Sequence, residues 1–260
     1  MAYWADFKLS VTRALSDQMA AALESLAPAK LTAESLSELD DRSGVYLLYK
    51  DYDLVYVGKA ARSLPQRLDR HRSKLTGRLN INMEQVRFTC LYVDEDLDAL
   101  APETMLISRF RAEGRAPWNF SGFGSNDPGR HRDATLYETD HFDVLYPVDL
   151  DVPLVGLAPG RYTGAEVVTR VKSLLPYLFR YAAKAKRPHV DLTQVTIELD
   201  EADPPADRVF ALLADALPDW QITALPGYVI MYREQQSYPS ARRTYRHKPA
   251  LPEPQRGDQV

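Results

Sequence analysis

The stretch that decides the fold is residues 44–58, GVYLLYKDYDLVYVG. Two runs within it, Gly44–Tyr49 and Leu54–Gly58, are rich in aromatic and β-branched residues, which is typical of β-strands. The four residues between the runs are mostly polar, so the stretch predicts a β-hairpin. Side chains alternate between the two faces of a strand. We therefore expect Tyr46 to pair opposite or diagonally to Tyr56, because only that register places both on one face.

A basic helix is predicted directly after the hairpin. Ser63-Leu64-Pro65-Gln66 is a capping-box pattern with proline in the first turn, so a helix should run over residues 64–75. The surrounding residues 59–78 contain one acid, Asp69, and seven cations: Lys59, Arg62, Arg67, Arg70, Arg72, Lys74 and Arg78. Phosphate binding depends on a local basic face rather than on the net charge of the whole chain. The basic cluster is therefore informative although the net charge of the chain is −4.

Further elements around the hairpin predict an α+β fold with a small antiparallel three-stranded sheet flanked by helices. The third strand is residues 86–93, with alternate residues on one face: Val86, Phe88, Cys90 and Tyr92. An amphipathic N-terminal helix is expected over residues 9–26, followed by a polar connector over 32–43. Another helix, residues 102–112, should bury Met105, Leu106 and Phe110 and end at Gly114.

After residue 140 the pattern changes to a C-terminal α/β extension. It predicts a strand over 142–150, a long helix over 163–185, a strand over 195–199, a helix over 205–217 and a hairpin over 220–232. The predicted organisation has four parts: an N-terminal helical arm (1–40), a core domain (41–140), the extension (141–248) and a flexible polar tail (249–260).

Composition excludes several classes of function. The only cysteine is Cys90, so no intrachain disulfide can form, and a cytoplasmic location is expected. One cysteine and five scattered histidines leave no ligand cluster for structural zinc. No run of about 18 apolar residues occurs, so no membrane span is predicted. The N-terminal residues lack the pattern of a secretory signal, and none is expected.

The order of several polar residues resembles a known family. Gly44-Val45-Tyr46 followed by Tyr56-Val57-Gly58 is similar to the paired tripeptides that name the GIY-YIG nucleases. The residues after the second tripeptide also follow the order of the family's functional residues: Lys59, Arg67, His71, Glu103 and Asn119. Arginine and histidine four residues apart, and the segment 122–130 (GFGSNDPGR), further resemble the type II restriction endonuclease branch of this family. The resemblance covers about residues 40–135.

The resemblance implies a magnesium-dependent DNA endonuclease that leaves 5′-phosphate and 3′-hydroxyl ends. The catalytic residues it implies are Tyr46, Tyr56, Arg67, His71, Glu103 and Asn119, with Lys59, Arg62, Arg70 and Arg130 as substrate-binding residues. Glu103 would be the sole protein ligand of Mg²⁺, for which Mn²⁺ can substitute. The implied partners are double-stranded DNA, a second subunit in a homodimer that cuts both strands of a palindrome, and a cognate DNA methyltransferase that protects host sites.

The chemistry of phosphodiester hydrolysis agrees with these residue types. The enzyme has to position water, neutralise developing charge and stabilise a leaving oxygen. A phenol with a pKa of about 10 is a poor base unless cations lower that pKa, and Lys59, Arg67 and His71 are the candidates for this role. Arg67 and His71 share a helix face, since residues four apart are neighbours. His71 could then accept a proton from Tyr46.

Each of these residues also has an ordinary structural interpretation. The tyrosines could pack as a plain hairpin, Arg67 could pair with Asp69, and His71 could be a surface imidazole. Glu103 suits the first turn of any helix because of the helix dipole, and Asn119 suits any turn.

Two further functions remain open from the sequence. One is a repair or mobile-element nuclease of the same family, and the other is a catalytically silent DNA-binding module. In the extension, the cations of 170–187 could track DNA or form a dimer surface. Base or phosphate contacts could come from Arg130, His131, Arg132, Arg242 and Arg243, or the region could simply brace the core.

Overall fold

The computed structural model describes residues 3–4, 10–93, 102–124, 129–182 and 189–247. Over these residues the fold is α+β, its strands pair antiparallel except for one parallel pair, and the chain forms two compact units. The first unit comprises 1–127 with 138–147, and the second comprises 128–137 with 148–260. The division therefore lies at residue 147 rather than at 140, and 128–137 belong to the second unit. Within the described residues, no helix is both long and apolar enough to cross a membrane.

The sheet of the first unit has four antiparallel strands in the order β1-β4-β2-β3. The strands are β1 (Ala29–Lys30), β2 (Gly44–Lys50), β3 (Asp53–Ala60) and β4 (Val86–Tyr92). The prediction of three strands was thus one short. Strand β1 has two residues, which pair with β4. Two residues are too few to show the alternation of apolar and polar side chains that marks a strand in a sequence.

The predicted hairpin is β2 and β3. Asp51 and Tyr52 at its turn both have positive φ, of 51° and 68°, as the tight turns of hairpins require. Tyr46 pairs with Gly58, and Leu48 pairs with Tyr56. Tyr46 and Tyr56 are therefore diagonal neighbours on one face, and the predicted register is confirmed.

The described residues of the first unit form the helices α1 (Val11–Glu24), α2 (Ala33–Ser37), α3 (Leu64–Leu75), α4 (Pro102–Ala112) and α5 (Phe142–Leu145). The helices predicted over 9–26, 64–75 and 102–112 are confirmed, whereas α2 lies in the stretch expected to be a connector. Helices α1 and α4 pack on the Val45 and Leu47 face of the sheet. Helix α3 packs on the opposite face, where Tyr46 and Leu48 lie. The sheet is thereby buried on both sides.

Helix α3 begins as its capping pattern predicts. The Ser63 hydroxyl accepts a hydrogen bond from the Gln66 backbone N–H at 3.2 Å, and Pro65 occupies the first turn. Leu64, Leu68 and Leu75 are fully buried against the sheet. The spacing of these leucines fixes the rotation of the helix, and His71 falls on the same inward face.

Two elements predicted for the region after residue 140 were wrong. Residues 142–150 are not a strand, because His141 Nδ1 accepts from the Asp143 N–H and starts helix α5, which Pro147 prevents from continuing. The helix predicted over 163–185 ends at Leu174. Pro176 disfavours the helical conformation for the residue before it, and Leu175 is extended with ψ of 134°.

The second unit contains a four-stranded sheet in the order β10-β8-β9-β6 and a separate two-stranded ladder of β5 with β7. Its strands are β5 (Gly160–Thr163), β6 (Phe179–Tyr181), β7 (Thr196–Leu199), β8 (Gln221–Ala224), β9 (Val229–Tyr232) and β10 (Arg243–Arg246). Its helices are α6 (Gly164–Leu174), α7 (Val190–Gln194) and α8 (Ala206–Ala216). The predicted strand at 195–199, helix at 205–217 and hairpin at 220–232 are confirmed. The tail from residue 249 lies outside the described residues.

Candidate active site

The candidate site centres on a buried hydrogen bond between Tyr46 and His71. The Tyr46 hydroxyl, on β2, and Nε2 of His71, on α3, are 2.6 Å apart. Tyr46 is 0% exposed and His71 is 3% exposed. The interpretation of His71 as a surface imidazole is therefore wrong. Helix α3 places this imidazole against the sheet one turn after Arg67.

Arg67 and Tyr56 complete the group. Arg67 Nε donates to the Tyr46 hydroxyl at 3.3 Å, and Arg67 also hydrogen-bonds Tyr56. The rings of Tyr46 and Tyr56 have centroids 6.2 Å apart. Asp69 pairs instead with Arg72 at 2.8 Å, which leaves Arg67 to the tyrosines. The structure thus brings together four side chains that the sequence singled out.

Gly58 makes room for the Tyr46 ring. A Cβ atom at this position would lie 2.3 Å from both Cζ and the hydroxyl oxygen of Tyr46. That distance is far inside van der Waals contact, so any side chain at position 58 would displace the ring. The glycine of the second tripeptide is needed for the space that it leaves.

Burial dominates the electrostatics of the group. It lowers the pKa of His71 to about 3, assisted by the charges of Arg67 and Lys74, so the imidazole is neutral at physiological pH. Burial also raises the pKa of Tyr46 and of Tyr56, and the nearby Arg67 opposes this only partly. The expectation that cations would lower the phenol pKa was therefore wrong. Desolvation of the phenolate outweighs the attraction of Arg67, and a neutral His71 adds no charge.

Glu103 lies in the first turn of α4 and faces the same cations. Its carboxylate accepts a hydrogen bond from the Lys59 backbone and interacts with the charges of Arg67 and Lys59. Partial burial nevertheless raises the pKa of Glu103. Among the described residues, no group of three or more His, Cys, Asp or Glu side chains could hold a metal ion. Glu103 would therefore offer a cation one carboxylate, with the remaining ligands supplied by water or substrate.

A basic cleft of about 430 Å³ adjoins the group. It lies between the end of β3 and the start of α3, and four cations line it: Lys59, Arg62, Arg67 and Arg70. Arg62, just before the helix, and Arg70, on the helix, are exposed, whereas Arg67 reaches inward to Tyr46. Arg67 therefore connects the cleft to the buried pair, and the cleft is suited to an anion such as a phosphate.

Asn119, which the resemblance implies to be catalytic, has its side-chain amide bonded to the backbone of β3. Its Oδ1 accepts from the Val57 N–H and its Nδ2 donates to the Val57 carbonyl, both at 2.8 Å. The amide therefore continues the hydrogen-bond pattern of β3 at its edge. Because Val57 follows Tyr56 directly, Asn119 braces the strand that carries this tyrosine.

Phe123 is a further member of the site, and the sequence alone predicts no role for it. Its ring stacks on the His71 imidazole with centroids 5.0 Å apart and meets the Tyr56 ring edge-on at 4.9 Å. Phe123 lies in the segment 122–130, which resembled the restriction branch, and the glycine on either side of it could have marked it. Residues 125–128 of that segment lie outside the described residues.

Arg130, expected to bind substrate, belongs to the second unit rather than to the unit that holds this group. Its guanidinium binds Glu234 at 2.6 Å and covers the Tyr232 ring at 4.4 Å. Arg132 donates to Tyr137, Arg242 to the Val148 carbonyl, and Arg243 pairs with Asp207. The cations of 170–187 do not share one helix, since Arg180 is on β6 and bound to Asp133, and 183–188 lie outside the described residues.

No protein-family model matches the chain, and no curated protein matches it significantly.

Proposed function

We propose that the chain is a magnesium-dependent, site-specific DNA endonuclease of the GIY-YIG type, similar to type II restriction enzymes. The observation that supports this most is the hydrogen-bonded group of Tyr46, His71 and Arg67 beside a cleft lined by cations. A proton acceptor, a hydroxyl and a guanidinium at the wall of an anion site are the groups that phosphodiester hydrolysis uses.

The buried pair can relay a proton without forming a phenolate. As water attacks phosphorus in line, the Tyr46 oxygen takes the proton from water while its own proton passes to Nε2 of His71. This route suits the raised pKa of Tyr46, because the phenol never has to ionise in the resting protein. It requires the ring hydrogen of His71 to be on Nδ1 before reaction. The negative charge of bound DNA raises the pKa of His71 and so makes it a better acceptor.

Arg67 has to move for water to reach Tyr46. The tyrosine has no exposed surface, and Arg67 covers its hydroxyl through a bond of 3.3 Å, which is long for a hydrogen bond. A phosphate offers the guanidinium charge-assisted, paired bonds that are stronger. Binding of DNA in the cleft therefore draws Arg67 from Tyr46 to the phosphate, where it stabilises the developing charge.

Glu103 is the residue that would hold Mg²⁺, and its surroundings fit that ion. Magnesium prefers oxygen ligands and keeps several waters, so a single carboxylate beside a phosphate cleft is sufficient. A divalent cation would also offset the burial that raises the pKa of this carboxylate. When bound, the ion supplies positive charge for the departing 3′ oxygen, and Mn²⁺ can take its place.

The substrate proposed is double-stranded DNA with a short palindromic site. Cutting both strands symmetrically requires two active sites, hence a homodimer, and a cognate methyltransferase would protect the host's own sites. The second unit would contribute to target recognition or dimerisation. A repair or mobile-element nuclease with the same active site would not need a short palindromic target.

The test is digestion of unmethylated phage DNA with the purified chain and Mg²⁺ or Mn²⁺. We expect discrete fragments from the native protein and a rate lower by about 10²-fold or more for Glu103→Gln, since a group that stabilises transition-state charge has been removed. Glu113→Gln is the matched control, because Glu113 is exposed at the end of the same helix and pairs with Arg115. Full activity in Glu103→Gln, or cleavage in a chelator, would show that the site assignment is wrong.

A catalytically silent DNA-binding module is the second candidate, and the complete burial of Tyr46 favours it. In that case the native chain would bind DNA but not cut it in either metal. Arg67→Gln would then weaken binding by the same factor with or without Mg²⁺. Cleavage at sites that are not short palindromes would instead favour a repair or mobile-element nuclease.

A further inference from the structure

Phe123 contacts the ring of His71, which accepts the proton in the proposed relay, and the neighbouring ring of Tyr56. It is 5% exposed and lies in a row of rings that continues to Trp118 and Phe142. Its plane is inclined by only 30° to that of His71, and it meets Tyr56 at 86°. One side chain thus packs on the face of the imidazole and also makes a T-shaped contact with the Tyr56 ring.

The backbone around Phe123 is shaped for this placement. Gly122 and Gly124 have φ of 89° and 83°, a region that other residues rarely adopt. A Cβ atom at Gly122 would lie 2.3 Å from His141 Nε2, and one at Gly124 would lie 3.0 Å from the Tyr56 hydroxyl. Both glycines therefore let the chain pass close to the site while Phe123 turns inward.

We infer that Phe123 is a positioning residue that fixes the ring plane of His71 for proton transfer from Tyr46. A hydrogen bond of 2.6 Å between Tyr46 and His71 is directional, so a tilt of the imidazole about its Cβ–Cγ bond would move Nε2 off the hydroxyl. Phe123 opposes that tilt by stacking on the imidazole face. The expected loss of cleavage rate rests on the proposed nuclease function, whereas the expected change at the His71 ring does not.

The experiment compares Phe123→Leu with Phe142→Leu. Phe142 is an equally buried member of the same core cluster, but its ring contacts are to Trp118, Phe123 and Tyr146. Both variants lose one buried aromatic ring, and only the first loses the ring stacked on His71. Phe123→Tyr keeps an aromatic ring and serves as the rescue variant. Thermal melting of all three gives the folded fraction with which rates are corrected.

The first measurement is NMR of the His71 ring protons and nitrogens in the DNA-free protein. We expect the ring-proton resonances of His71 to move downfield in Phe123→Leu, since the stacked ring that shields them is gone. Phe123→Tyr should stay near the native positions, and Phe142→Leu should move them little. Unchanged His71 resonances in Phe123→Leu, or equal changes in both leucine variants, would overturn the inference whether or not the chain cleaves DNA.

The second measurement is the single-turnover cleavage rate at saturating DNA, beside the Kd for DNA in Ca²⁺. Phe123→Leu should lower the rate by about tenfold to a hundredfold, the effect of a misplaced reacting group, with Kd within about threefold of native. Phe142→Leu should lose no more rate than its folded fraction explains. A rate loss in Phe123→Leu that disappears on this correction contradicts the positioning role.

Discussion

The burial of His71 makes the stability of the first unit depend on pH. Its folded pKa is about 3, below the value of about 6.5 in an unfolded chain, so between these values the unfolded state binds more protons. Stability is therefore present above pH 6.5 and is lost as the pH falls toward 3. Between pH 7.5 and pH 5 this group alone should cost about 2 kcal/mol.

His71→Gln tests that value, because glutamine can still bond Tyr46 but does not titrate. Urea unfolding at pH 7.5 and pH 5 should show a loss about 2 kcal/mol larger in the native protein than in the variant. His189→Gln is the control, since His189 is partly exposed and lies in the second unit. Equal losses in native protein and His71→Gln would mean that the imidazole is not held neutral.

The residue types at the site could be predicted from the sequence, but their environments could not. The sequence predicted that Tyr46 lies on the hairpin, that Arg67 and His71 lie on the next helix and that Glu103 opens a later helix, as the structure has them. Whether a phenol is 0% exposed, or whether Asn119 bonds Val57, depends on how strands and loops pack. The direction of the tyrosine pKa shift follows from that packing, which is why the expectation from the charges alone was wrong.

Among the secondary-structure elements, the hairpin of β2 and β3 controls the site most directly. Gly58→Ala adds a Cβ atom that collides with the Tyr46 ring at 2.3 Å, so the ring or the strand has to shift. We expect a loss of about 1–3 kcal/mol in the free energy of unfolding, as for an overpacked core. The activity per folded molecule should fall as well, because Tyr46 leaves His71.

Gly114→Ala is the matched control for this change. A Cβ atom there meets nothing within 4 Å, and the cost of about 1–2 kcal/mol comes only from its φ of 70°. Both variants should be destabilised, but only Gly58→Ala should lose cleavage rate and change the His71 ring resonances. If both lost rate equally, the space at Gly58 would have no specific importance for the site.

Elements with a strong local sequence pattern could be predicted, whereas elements that form by pairing with a distant segment of the chain could not. Helix α3 has a capping residue, an early proline and three buried leucines, all visible in the sequence. Strand β6, by contrast, has only three residues and forms by pairing in parallel with β9 about fifty residues later. No local period marks such a strand, so the apolar residues after Pro176 were assigned to the preceding helix.

For the whole molecule, the distribution of charge matters more than its sum. A net charge of −4 predicts weak attraction to DNA, yet four of the described residues that line the cleft are cations and none is an acid. Phosphate binding at this cleft should therefore account for most of the salt dependence of DNA affinity. The sequence predicted this asymmetry from residues 59–78, since neighbours along one helix face remain neighbours in the fold.

Arg62→Gln combined with Arg70→Gln tests this distribution, because both side chains are exposed in the cleft. Each phosphate contact removed should reduce the magnitude of the slope of log K against log salt by about 0.9. The slope of the double variant should therefore be smaller in magnitude by about 2 per subunit. Arg208→Gln with Arg233→Gln is the control, since both arginines are exposed and paired with acids in the second unit. A slope equal to that of the native protein would mean that the phosphate contacts lie elsewhere. A reduced slope with cleavage retained at low salt would mean that Arg62 and Arg70 bind phosphate but are not needed for the chemistry at Tyr46.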